Sequence, residues 1–432
     1  MPESTDFPQV NTRPPACKRF WRWLWLPAAV ALLLLWWFIC RTPQYRLIGT
    51  FVTDDVLLIP ANTGFLVRDS AATFMLRDWV DGHPRWTVTV RQAQFPVGTP
   101  RMNPGFGSAY SLSPDGHVFA AATAVLDTLH METWHDGAFA GHLTLKLDQP
   151  TPLFLFVKAL NSGRVFCWHS YAARGTSSKR VTPVIAVEGD RVIARGAFPP
   201  EARMAPDGSA IAASTTTGFT YAEVRVYGGA VTLRHPYTSQ DRLTTLDGWD
   251  GFVLESSLFA DGIVLAENGA IYGPSGRLHP PAGRWRHQGM DPGGRYTLQF
   301  ASDRIRLFSP VTWDAWTFSV PDHSNGGDAT ADGRHVLAWL ETRPSKGFQA
   351  KLQQFLQDYP AAERLFGGLS TDYLALYQRP GRRVAILRPR LRAWWPEAPT
   401  IENRWWFPSP DGRSVAMTAS GPRDGRCFLL RY

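Results

Sequence analysis

The sequence predicts an all-β domain built from internal repeats and preceded by one membrane-crossing helix. Three observations carry that expectation. A turn ending in Asp-Gly recurs along the chain with an apolar stretch behind it. The copies are spaced at the roughly 40–50 residues typical of a four-stranded repeat unit. Near the N-terminus, residues 24–40 carry no charge and are almost wholly apolar. The 432 residues are 44% hydrophobic and 19% charged, which excludes a disordered or highly charged class.

Residues 1–20 come first. Residues 1–16 are polar, contain four prolines and read as a disordered tail. The segment Trp21–Cys40 follows. It approaches the roughly 20 residues that cross about 30 Å of hydrocarbon. Trp21, Trp23 and Trp25 cluster at one end and Trp36 and Trp37 at the other. Indoles favour the headgroup region, so the pattern resembles two aromatic belts. Pro27 falls in the first turns, where a helix tolerates it. The apolar core is long for a cleaved leader and no small-residue cleavage site follows it, so residues 21–40 read as a signal anchor. Arg13, Lys18, Arg19 and Arg22 outnumber Arg41 and Arg46 beyond the span. The positive-inside rule therefore places the N-terminus in the cytoplasm and the remainder outside it.

From residue 45 onward the repeat dominates. Ser113-Pro114-Asp115-Gly116, Ala205-Pro206-Asp207-Gly208, Phe259-Ala260-Asp261-Gly262, Asp291-Pro292-Gly293-Gly294, Thr330-Ala331-Asp332-Gly333 and Ser409-Pro410-Asp411-Gly412 are the good copies. Weaker ones surround Gly64 and Gly163. Pro presets the first turn position, Asp bonds back to nearby N–H groups, and Gly accepts positive φ. An alternating apolar strand follows each copy, as in Val118 and Ala120 or Val336 and Ala338. The turn glycines are separated by 52, 47, 45, 54, 32, 39 and 79 residues. The last gap reads as two periods, with a degenerate unit near residues 371–378. Seven or eight β-propeller blades over 45–432 fit this spacing. The chain ends one strand after its final hairpin, and the strand around 45–51 is expected to complete that blade.

The S/A-P-D-G turn-strand unit resembles that of the TolB-type, WD-repeat-like β-propeller family, over residues 45–432. Asp78–Trp86, and less closely Ser309–Trp316, are similar to a quinoprotein-type blade ending, whose Trp packs between blades. The resemblance implies a propeller that engages envelope proteins. It implies no bound quinone.

One stretch breaks the strand pattern. Phe348, Leu352, Phe355, Leu356 and Tyr359 form a helical apolar face, so a short helical insertion is expected near 347–367.

Chemistry-bearing motifs are sparse. No G-x-S-x-G, phosphate-binding glycine loop or H-E-x-x-H occurs. His130, His135 and His142 are the closest histidine group, and His130 and His142 are expected to face each other on a hairpin turning at Asp136-Gly137. Without a matching carboxylate or Cys, strand-pair histidines are the better reading. Asp115, Asp207, Asp261, Asp332 and Asp411 recur once per unit and read as turn caps rather than as a Ca²⁺ or catalytic ring. Cys17, Cys40, Cys167 and Cys427 show no disulfide spacing. The net charge of +8 comes from scattered arginines, with one dense group at 379–392, and does not point to nucleic acid.

The expectation is thus a non-enzymatic platform with no catalytic, cofactor or metal residues. Its partners are the membrane, through Trp21–Cys40, and a protein or envelope component. The alternative is a glycan-active or lyase-type propeller enzyme with a site in the central channel.

Overall fold

The computed structural model describes residues 27, 29 and 30, and then 46–53, 58–91 (less 71), 108–147 (less 126), 154–170, 182–199, 202–239 (less 216, 217 and 235–237), 258–279 (less 267, 268 and 275), 285–341 (less 302 and 322), 372–387, 406–420 and 425–432. The chain divides into two units, 1–43 and 44–432. In the first, Pro27, Ala29 and Val30 are helical; the rest of the expected anchor lies outside the described residues. Among the described residues no helix is long and apolar enough to cross a membrane. The expected helical insertion at 347–367 also lies outside them.

The second unit is built of successive antiparallel meanders. The first comprises Leu58–Pro60, Gly64–Arg68, Thr73–Asp78 and Pro84–Thr89. The second comprises Ser108–Leu112, Val118–Val125, Thr128–His135 and Ala138–Lys146. The third runs from Phe154–Ala159 to Arg191–Phe198 and the fourth from Arg203–Met204 to Ala230–Arg234. The fifth has three strands, Val264–Leu265, Ile271–Gly273 and Gly276–His279, plus a bridge from Leu258 to Val264. The sixth spans Arg286–Met290 to Ala315–Ser319 and the seventh His323–Ala329 to Arg382–Leu387. The eighth takes Trp406–Pro408, Ser414–Ser420 and Gly425–Arg431 from the C-terminus, and its fourth strand, Arg46–Thr53, from the start of the unit. Arg46 pairs with Arg431 and Thr53 with Gly425, which is the expected closure.

The apolar core is not central. It lies as separate clusters, each between two consecutive meanders. Phe74, Leu76, Phe119 and Trp134 join the first to the second. Leu337, Leu374, Val415 and Met417 join the seventh to the eighth. Phe65, Val67 and Trp79 pack on Ala416, Cys427 and Leu429, so the eighth meander covers the first and the succession closes on itself. Consecutive four-stranded meanders closed by the first and last strands make a β-propeller. Because each meander is covered on both sides, its second strand does not alternate as expected. Val118–Val125 is buried at every position but its last. Trp86 packs between the first and second meanders and Trp316 between the sixth and seventh, as the blade-ending pattern implies.

The repeat glycines fall between the first and second strands of their meanders, except that Gly64 opens the second strand of the first and Gly262 lies between Leu258 and Val264, which a single bridge joins. The 79-residue gap therefore corrects the expectation: Asp372–Gln378 is the third strand of the seventh meander, not a degenerate unit. The gap also contains residues 342–371 and 388–405, which lie outside the described residues.

The turns share one hydrogen-bond pattern. Ser113 Oγ accepts from the N–H of Val118 (2.9 Å) and Ser409 Oγ from that of Ser414 (2.9 Å). Thr330 and Asp291 do the same with His335 and Tyr296. Asp115, Asp207, Asp332 and Asp411 each accept from the N–H two residues on, which is the cap their position predicts. Asp261 differs. It sits at φ 56°, and its own N–H is capped by Asp207 of the preceding meander (2.7 Å).

Neighbouring turns are also bonded to one another. Asn62 N–H donates to the Pro114 carbonyl (2.8 Å), Asp115 N–H to Asn161 Oδ1 (3.1 Å), Ala260 N–H to the Gly294 carbonyl (2.9 Å) and Asp332 N–H to the Pro410 carbonyl (3.3 Å). All the first turns therefore lie at one end of the sheets, hereafter the turn end. In an antiparallel meander the third-to-fourth-strand turns fall at that end too.

The third and fourth meanders are spliced. Their outermost strands pair in parallel, Arg195 with Ala230 and Gly196 with Val231, giving one nine-stranded sheet. A Cβ on Gly196 would fall on the Val231 carbonyl oxygen, so only glycine permits this approach.

Candidate functional site on the inner wall

The first strand of each meander forms the inner wall of the closed succession. Most of these strands are unremarkable in composition, but the seventh, His-Ser-Asn-Gly-Gly-Asp-Ala, holds two glycines and four polar residues. The glycines let neighbouring inner strands meet. A Cβ on Gly289, in the sixth meander, would lie 2.5 Å from the Gly327 carbonyl oxygen and 2.8 Å from Asp328 Oδ1. The Asp328 carboxyl thus sits against a neighbouring backbone. Burial pushes it up to about 7, so it changes charge near neutrality.

Further along the strand, Asn325 Nδ2 donates to Glu341 Oε2 (3.2 Å). Ser324 Oγ is buried with no hydrogen-bond partner among the described residues. So are the indole N–H groups of Trp339 and Trp406, whose rings meet edge to face at 5.4 Å across the seventh and eighth meanders. Native proteins satisfy nearly all buried polar groups. Two such atoms, on Ser324 and Trp406, stand on adjacent first strands, with Trp339 on the second strand behind them and the Asp328 carboxyl further along the strand that holds Ser324. The group offers donors and an acceptor. It holds no nucleophile bonded to a base, because Ser324 Oγ bonds to nothing among the described residues.

The sequence-singled residues lie elsewhere. Hairpin register places His130 opposite Thr144 and His142 opposite Glu132, so the histidines are diagonal rather than directly paired. Their rings stack at 5.8 Å and 1°. Desolvation, then the charge of His142, holds His130 below the ordinary imidazole value. His135 instead joins His117. Both Nδ1 atoms approach Asp136, at 3.2 Å and 2.5 Å, and the carboxylate is held below its usual range chiefly by the His117 hydrogen bond. Among the described residues no three His, Cys, Asp or Glu are placed to hold a metal ion. Cys167 and Cys427 are free and buried, and burial pushes both thiols up to about 12. Asp291, in the Asp-Pro-Gly-Gly copy, caps its turn by accepting from the N–H groups of Gly293, Arg295 and Tyr296.

No protein-family model matches the sequence, and no curated protein does. Among solved structures, the chain is similar to the β-propeller domain of Cps50 (Swd1) from Myceliophteria thermophila, at 12% identity and a TM-score of 0.39, over 89% of this chain and 100% of that one. It is also similar to BamB from Moraxella catarrhalis, at 9% identity and a TM-score of 0.38, over 90% of this chain and 100% of that one. The fold assignment rests on strand order and closure, not on these likenesses.

Proposed function

We propose that the chain is a membrane-anchored, extracytoplasmic, TolB-like propeller of eight blades that works as a non-enzymatic binding platform for a protein or envelope component. The observation that carries this reading is the inner wall of the seventh and eighth meanders. Its unpartnered donors on Ser324 and Trp406, with that of Trp339 on the strand behind them, suit acceptors supplied by a bound segment. The rest of the fold supports it: turns bonded to turns, and a first strand locked to the last, make a rigid frame. The apolar, Trp-flanked stretch Trp21–Cys40 supplies the anchor and the charge bias across it the orientation.

The test is photo-crosslinking on intact cells, from a crosslinker placed at Glu341 of the full chain, together with external protease against a C-terminal tag. One discrete protein adduct, lost in Trp406→Ala, and a tag removed from outside are the expected results. No adduct at Glu341, or a tag protected until the membrane is broken, overturns the reading.

A second reading, a channel-site enzyme acting on glycans, is favoured by Asp328 alone, whose raised pKa is that of a general acid. Turnover of a glycan that disappears in Asp328→Asn would establish it.

A further inference from the structure

The third and fourth strands of the second meander, Thr128–His135 and Ala138–Lys146, bring two histidines together on one face. Their register pairs His130 with Thr144 and Glu132 with His142. Side chains two residues apart on a strand share a face. His130, Glu132, His142 and Thr144 therefore occupy the corners of one square, on the face from which Trp134 packs toward the first meander.

The donor atoms of this square converge. Thr144 Oγ1 lies 3.4 Å from His130 Nδ1 and 3.5 Å from His142 Nε2, so one hydroxyl meets a nitrogen from each ring. Around an ion with bonds of about 2.0–2.1 Å, tetrahedral donors stand about 3.4 Å apart. Two of the three edges among these atoms already have that length. The parallel rings, 5.8 Å between centroids, disfavour a proton on both imidazoles at once. Desolvation and then His142 hold His130 below its ordinary value, which leaves its lone pair free at neutral pH.

Glu132 supplies the charge. It is 2% exposed, its Oε2 accepts from the Arg91 N–H (3.1 Å), and its field acts on His130 in the sense that favours a cation. His142 and Thr144 are exposed, so the square is open to solvent on that side. The other histidine pair of this meander has no such freedom, because His117 and His135 both direct Nδ1 at Asp136.

We propose that His130 Nδ1, His142 Nε2 and the Thr144 hydroxyl bind a divalent transition-metal ion, with the Glu132 carboxylate as neighbouring negative charge. Imidazole donors without a thiolate suit Zn²⁺ and Cu²⁺ rather than Mg²⁺ or Ca²⁺. Among the described residues no third His, Cys, Asp or Glu is placed to ligate it, so the ion keeps positions for water or for a donor brought by another molecule. Such an ion ties the outer strand of the meander to its neighbour and gives that flank of the propeller a point of attachment separate from the inner wall.

The test uses the full chain in detergent. Cys17 and Cys40 are replaced by Ser, which removes the thiols outside the propeller, and Cys167 and Cys427 are buried. Calorimetric titration with Zn²⁺ should show saturable binding that His130→Asn and His142→Asn each weaken by more than about tenfold. His117→Asn and His135→Asn should leave it unchanged. Electron paramagnetic resonance with one equivalent of Cu²⁺ should show two nitrogen donors in the parent and one in either of the first two variants. His142 is exposed, so His142→Asn should melt like the parent in the presence of a chelator, and its effect then reports on the ion and not on folding. Absence of saturable binding overturns the proposal. So does binding that survives both His130→Asn and His142→Asn, or that is lost instead with His117→Asn or His135→Asn.

Discussion

Replacing Gly196 with Ala separates a spliced pair of meanders from two independent ones. Gly196 lies in an extended strand, not at positive φ, so the usual effect of Gly→Ala would be a gain of about 0.4–1 kcal/mol from a stiffer unfolded chain. The splice reverses the sign. The added Cβ would overlap the Val231 carbonyl oxygen and approach Val231 Cβ to 2.8 Å. Relief requires the two outer strands to part. That costs about 1–3 kcal/mol of overpacking or displacement. It also costs about 1 kcal/mol for the bond from Arg195 N–H to the Gly229 carbonyl, 3.1 Å long in the native pair. The expected net loss is about 1–3 kcal/mol. Urea unfolding of the two proteins gives the sign, and hydrogen exchange localises it: the Arg195 amide should lose protection while the Arg164–Glu188 pairing inside the third meander keeps its own. A variant as stable as the parent, with the Arg195 amide unchanged, refutes the argument.

Leu429→Ala removes a side chain with no exposed surface from the contact that closes the eighth meander on the first, and should cost about 2–5 kcal/mol by denaturant midpoint. Ser409→Ala leaves the buried Ser414 N–H without its side-chain acceptor and Asp411 without a donor at 2.7 Å; a loss of about 1–3 kcal/mol in the same assay is expected. Asp328 holds its proton more tightly folded, at about 7, than the ordinary 3.8, so its contribution is complete below about pH 4 and fades as pH rises through 7. Asp328→Asn should flatten that part of the stability–pH curve and be more stable than the parent above pH 7. An unchanged curve would show that the carboxyl is solvated.

Local chemistry made the repeat legible. Asp and Gly in a turn, after Pro in several copies and with Ser or Thr two residues before the Asp in the copies at 113, 330 and 409, are demanded by the turn itself, and so the recurrence of the unit could be read from the sequence. Closure by the strand near 45–51 could be read because the final hairpin lacked a fourth strand. What the spacing misled about is the 79-residue gap, because insertions lengthen a unit without altering its turn, and periodicity alone cannot tell a long unit from two short ones. The diagonal placement of His130 and His142 depends on a bulge between Thr133 and Trp134, which residue counting on a hairpin does not anticipate. The parallel splice leaves one sequence trace, a glycine in the middle of Arg191–Phe198. The inner-wall site was the least legible part. Unpartnered indole and hydroxyl groups are a property of packing, and the only hint was the double glycine in Ser324–Ala329.

The closing strand has a consequence for synthesis of the protein. Arg46 is made early and its partner Arg431 is the penultimate residue of the chain. At about 5–20 residues per second, the early strand waits roughly 20–80 s for its partner. During that time Phe65, Val67 and Trp79, which the last meander will cover, remain bare. A nascent chain in this state presents an unpaired strand edge beside an apolar face, the surface that holding chaperones bind and that aggregation exploits. Production of the protein should therefore be limited by protection of its N-terminal meander during elongation, and loss of the strand Gly425–Arg431 alone should be as damaging to yield as loss of a whole unit.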